Sequence, residues 1–121
     1  MQLTLRLEND CLHVTTTGTV DTVEKMQHYA VTILEKTIEY NTKRVLLDER
    51  NLTNLTTSLD ASLLAQSAEV DKAAILGIRV ANLVSQKGYS IAVIYENALF
   101  NRSLNCKTFT DKEQAIQWLT S

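Results

Sequence analysis

Leu3, Leu5 and Leu7 alternate with Thr4, Arg6 and Glu8 at the start of the chain. A period of two marks a strand with one buried face. Glu8-Asn9-Asp10 is a turn cluster, and beyond it Leu12 and Val14 alternate with Cys11, His13 and Thr15 up to Gly18. The two runs predict a hairpin. The period then changes. Val23, Met26, Ala30, Ile33, Leu34 and Ile38 recur at spacings of three and four, with Glu24, Lys25, His28, Glu35 and Lys36 on the opposite face. That is an amphipathic helix. Asp21, with Glu24 three residues on, is its expected cap, and Tyr40-Asn41 its end.

In "KRVLLDER", Val45, Leu46 and Leu47 are consecutive and apolar, as in a strand covered on both faces; it is expected to stop at Asp48-Glu49-Arg50. After the loop "NLTNLTTS", Thr57 or Ser58 can cap one helix carrying Leu59, Leu63, Leu64, Ala68 and Ile75, stopped by Gly77. Ile78, Val80, Leu83 and Val84 predict a fourth strand. The segment from Tyr89 to Asn101 reads two ways. "SIAVIY" has β-branched strand composition, yet Ile91, Ile94, Tyr95, Ala98 and Leu99 share one helical face. Alternating strand-helix order favours the helix. Cys106 to Phe109 is the fifth strand. Thr110-Asp111-Lys112-Glu113 reads as a capping box, followed by a helix whose stripe of Ala115, Ile116, Trp118 and Leu119 is expected in the core.

The order is β-β-α-β-α-β-α-β-α. It predicts an α/β fold: a single five-stranded mixed sheet, with an N-terminal hairpin followed by parallel strand-helix units joined by right-handed crossovers. The first two strands keep a polar face, so one side of the sheet is expected to be less covered. No linker or repeat divides residues 1–121, which read as one domain able to bury about two-thirds of its unfolded surface.

The remaining properties mostly exclude. A net charge of −2 with interspersed signs gives no footprint for nucleic acid and no polybasic membrane patch. No apolar run is long enough to span a bilayer, and the alternating, charged start is not a signal peptide. The cytoplasm is the expected compartment. Cys11 and Cys106 read as small buried hydrophobes, and His13 and His28 have no second ligand at metal spacing. No cofactor is called for. No Gly-rich phosphate loop or acid-base pair appears, and Asp48 and Glu49, adjacent in a strand, would point to opposite faces. The chain is therefore expected not to be an enzyme. Open α/β sheets bind ligands at the carboxyl ends of their strands. There this chain offers Asp48, Glu49, Arg50, Asn51, Thr53 and Asn54 after the third strand, Ser58 at the following helix start, and Ser85, Gln86 and Lys87 after the fourth strand. Ile91, Tyr95 and Phe100 are candidates for a gate or an interface.

Three segments, "LHVTTTGTVD", "KRVLLDER" and "NRSLNCKTFTDKEQAIQWL", together resemble the SpoIIAA-like, or STAS-like, domains, bacterial proteins related to anti-sigma-factor antagonists. The resemblance implies strands in sequential order, a helix at residues 89–101, and a regulatory or protein-interaction module working with a protein partner or as a homodimer. A further relation to CRAL-TRIO folds implies an alternative: a carrier for a small apolar ligand or lipid, which would need an apolar cavity of several hundred Å³. Two positions depart from the pattern. Ser103 stands where relatives favour glycine. "TTSLDAS" replaces the Asp-Ser-Ser-Gly turn whose serine is phosphorylated in the antagonists, so the phospho-switch does not carry over; Ser58, at the cap, is the nearest hydroxyl in its place.

Overall fold

The computed structural model describes residues 1–121. Five strands form one sheet in the order β1-β2-β3-β4-β5. Strand β1 (Gln2–Glu8) runs antiparallel to β2 (Cys11–Val20), joined through Asn9 and Asp10 at φ 52° and 62°. Two consecutive positive φ angles are what a two-residue type I′ turn needs, and Asn and Asp tolerate them. From β2 onward the neighbours β3 (Arg44–Asn54), β4 (Arg79–Leu83) and β5 (Asn105–Phe109) pair in parallel. The mixed sheet expected from the sequence is present.

Helix α1 (Val23–Glu39) follows β2. Its cap is Thr22, whose hydroxyl accepts from the Lys25 amide at 3.2 Å. Asp21, the expected cap, lies one residue too early and accepts from Lys25 Nζ at 2.8 Å instead. Strand β3 also runs past its expected stop. The ladder offered by the ten-residue β2 keeps the polar stretch beyond Asp48 extended as far as Asn54.

The single helix expected after β3 is two: α2 (Ser58–Ala65) and α3 (Ala68–Ile75). Thr57 and Asp60 form a capping box at the first start. Ser67 makes the break. Its backbone turns extended, and its hydroxyl accepts from the Val70 amide at 3.3 Å, so a fresh start competes with continuation. The break lets α3 turn Val70 and Ala73 into the core. Gly77, at φ 74°, closes α3 in the left-handed conformation glycine adopts without strain.

The segment with two readings is helical: α4 spans Tyr89–Phe100. It closes with the Leu104 amide bonding the Leu99 carbonyl at 3.1 Å, with Ser103 at φ 68°. A left-handed serine costs about 1–2 kcal/mol that glycine largely avoids. Helix α5 (Lys112–Thr120) is capped by Asp111, which accepts from the Glu113 amide at 2.8 Å. The expected cap, Thr110, falls one position outside the helix start.

The helices divide unevenly over the sheet. Residues of α1, α2, α3 and α4 pack with Leu12, Val14 and Val45 on one face. On the other, α5 alone seats Ala115 and Leu119 against Cys11, Leu46, Ala81 and Leu83. That second face is open over the hairpin, where Thr15 is exposed. Trp118, expected in the core, is half-buried at the rim. Its ring lies 5.8 Å from that of Phe109 and 4.5 Å from the Arg79 guanidinium carbon.

Candidate functional site

The helix-covered face holds a cavity of about 140 Å³ that opens to solvent, and 18 of its 24 lining residues are hydrophobic. Its floor is β3 and β4, through Leu47, Leu52 and Val80, and its walls come from α1, α3 and α4. The floor residues sit mid-sheet beneath helices, yet all three are only half-buried. Ala30, Ile33 and Leu34 of α1 and Ile91 and Leu99 of α4 are half-buried too, and line the same space.

One end of this apolar space is polar. Val45, Leu47 and Glu49 alternate onto the helix-facing side of β3. Thr15 pairs with Asp48 and Thr17 with Asn51, so β3 carries an extra residue opposite Thr16. Such a bulge bends the strand and re-aims side chains. The in-facing set past it becomes Leu52 and Asn54, both lining the cavity. At the bulge, Tyr29 donates its hydroxyl to Glu49 Oε2 at 2.7 Å. With that proton committed, the 2.7 Å contact between Thr16 Oγ1 and the Tyr29 oxygen has Thr16 as donor. Burial pushes the Glu49 carboxyl up to about 7, only partly offset by hydrogen bonds from Tyr29 and Asn82. Burial and the neighbouring Glu49 push the Tyr29 phenol well above its usual range.

Asn82 belongs to the same end. It is 8% exposed, lines the cavity, and its Oδ1 is buried without a hydrogen-bond partner. Leaving a buried acceptor unpaired costs about 1–3 kcal/mol. A second chain of polar contacts lies at the carboxyl end of β3: Tyr95 donates to Thr56 Oγ1 at 2.7 Å, and Thr56 donates to Asn54 Oδ1 at 2.6 Å. Cys106 also lines the space, its thiol pushed by burial up to about 12 and therefore held neutral. No three His, Cys, Asp or Glu side chains come close enough together to hold a metal ion.

The candidate residues read from the sequence are not one site. Asn54, Ile91 and Tyr95 come together at the cavity. Asp48 and Arg50 project from the opposite face of the sheet and bond each other, Arg50 Nε and Nη2 donating to the carboxylate at 2.9 and 2.8 Å. That bond holds the Asp48 carboxyl below its usual range. Asn51 and Thr53 are exposed. Ser58 is the exposed first residue of α2, whose capping is done by Thr57. Ser85 accepts from the Gly88 amide at 3.3 Å ahead of α4. Phe100 is 68% exposed and outside the cavity lining. Sequence reasoning placed Glu49 in the polar group at the end of the third strand without giving it a role of its own, and it missed Tyr29 and Asn82. Glu49 left a trace, being in phase with Val45 and Leu47; Tyr29 and Asn82 left none, because their partners are distant in sequence.

A solved structure from Shewanella loihica PV-4, an uncharacterised protein of the DUF3478 family with a SpoIIAA-like fold, superposes with a TM-score of 0.57. The alignment covers 98% of this chain and 92% of that one, at 17% identity. This chain has a SpoIIAA-like fold. At that identity the likeness concerns the fold alone. No family model and no curated protein matches the chain. Within this SpoIIAA-like domain no helix is long and apolar enough to cross a membrane.

Proposed function

We propose that this protein is a non-catalytic binding protein for a small, largely apolar molecule, held between the sheet and helices α1, α3 and α4. The cavity carries the reading. Protein interiors pack densely and leave few voids larger than a water molecule, whereas this one is about 140 Å³ and mostly apolar. Apolar cavities of about 150 Å³ in other proteins stay dry and take up benzene. The volume falls short of the several hundred Å³ a whole lipid chain would need. It suits one ring or a short chain, with any longer tail leaving through the mouth. The free thiols Cys11 and Cys106 fit work in the reducing cytoplasm.

The interaction-module reading has an observation of its own. Leu59 and Leu63, one turn apart on α2, are 67% and 43% exposed, and Leu55 just before the helix is 61% exposed. Such a strip suits a protein partner or a second copy of the chain. Native mass spectrometry of the purified protein tests both readings, reporting subunit number and retained small molecules together. A monomer that carries a small apolar molecule is the expected result. A dimer that neither retains nor takes up such a molecule overturns the ligand reading in favour of the module.

A further inference from the structure

The polar groups gathered around Glu49, Tyr29 and Asn82 make the cavity selective. Its lining contains no lysine, arginine or histidine, and its two ionisable carboxyls are Glu49 and Glu69. An anionic ligand would therefore enter apolar surroundings with no cation to pair with and with carboxyls already present. A cationic ligand would find Glu49 a weakened partner, because burial raises its carboxyl to about 7. A wholly apolar ligand would seal the Asn82 Oδ1 acceptor in place without a partner. Tyr29 cannot supply the missing donor, since its one hydroxyl proton already goes to Glu49.

We propose that the pocket selects an apolar molecule carrying one neutral hydroxyl, an alcohol or a phenol, whose O–H donates to Asn82 Oδ1 beside the Glu49–Tyr29 pair. The inference rests on the ligand-pocket reading above and adds the identity of the head group. The donor completes the one polar atom that the fold buries and leaves unmatched here. Thr16, Tyr29 and Glu49, linked by contacts of 2.7 Å, hold the neighbouring wall rigid, so the ligand's position is set by the pocket. The ring or chain of the ligand then lies over Leu47, Val80 and Ile91.

The test uses the full chain and four probes that share one ring: toluene, 4-methylphenol, 4-methylbenzoate and 4-methylbenzylamine. Calorimetric titration gives the affinities, and amide chemical shifts report whether each probe acts near Glu49 and Asn82. One good hydrogen bond to a buried, unpaired acceptor predicts that 4-methylphenol binds about tenfold more tightly than toluene. The benzoate and the amine bind more weakly than either. In Asn82→Ala the ratio of phenol to toluene affinity falls to about one. If that variant does not fold, the wild-type series decides the matter alone. Toluene binding as tightly as 4-methylphenol overturns the head-group inference and leaves the pocket reading standing. Tighter binding of the benzoate or the amine overturns it equally. Failure of every probe to bind overturns both.

Discussion

On the α5 side of the sheet, Cys11, Leu46, Ala81, Leu83, Ala115 and Leu119 close into a small, wholly apolar core with five of the six at 0–1% exposure. On the side of α1 to α4, the larger core contains Tyr29 and Tyr95 and borders an open cavity floored by half-buried Leu47 and Val80. The same strands build both faces. The difference lies in what covers them. A single helix with small Ala115 at its contact settles closely onto β3 and β4. Four helices of differing length, one pair split at Ser67, cannot all meet over the middle of the sheet. Packing by one element gives stability and no site. Packing by several leaves space, and there the chain has put its buried polar groups.

Truncation gives the largest test of this contrast. Leu119→Ala, at a position with 0% exposure, costs about 2–5 kcal/mol in urea unfolding. Ile91→Ala, at the cavity wall, costs no more than about half as much, because Ile91 is already half-buried beside open space. Equal losses would mean that the cavity face is packed as tightly as the other.

The next test is the pH response of Glu49. Its carboxyl rises from 4.5 to about 7 on folding. Between those values the native protein binds more protons than the unfolded chain, so this group's contribution is most favourable below 4.5 and is lost as pH rises through 7. The gap is worth about 3 kcal/mol. Glu49→Gln keeps an acceptor for Tyr29 but cannot ionise. Relative to wild type it gains about 3 kcal/mol at pH 8 and little near pH 4.5. Urea midpoints measured at both pH values check this, and wild-type and variant profiles that run parallel would contradict it.

The smallest expected effect comes from adding volume. Ala115→Leu, on the solid face, costs about 1–3 kcal/mol through overpacking. Ala30→Leu, at the cavity, gains about 0.5–1 kcal/mol by filling space and lowers the amount of small molecule retained in native mass spectrometry. Thermal unfolding of the pair gives the signs, and two losses of the same size would erase the distinction between the faces.

Much of the architecture was legible because its signals are local. The change from a period of two at Leu3–Leu7 to spacings of three and four at Val23–Ile38 marks hairpin and helix within a few residues of the boundary. Tyr89–Phe100 needed more than its own composition, and the alternating order supplied it. The caps were read one residue off at Asp21 and Thr110, because either neighbour offers an oxygen and the backbone decides which one turns inward. The helix break at Ser67 was missed, since a serine inside an apolar stripe is equally compatible with continuation.

The site was legible only at its edge. Asn54, Ile91 and Tyr95 belong to it, whereas Asp48 and Arg50 face the other way and satisfy each other. The sequence by itself determined the order of the five strands, the hairpin turn and the apolar faces, because those follow from periodicity and backbone preference along neighbouring residues. Tertiary structure alone decided that β3 would bulge opposite Thr16, that Tyr29 would reach Glu49 across twenty positions, and that Asn82 would be buried with its oxygen unpaired. Those outcomes depend on how four helices share one sheet face, and no local pattern encodes the space they leave between them.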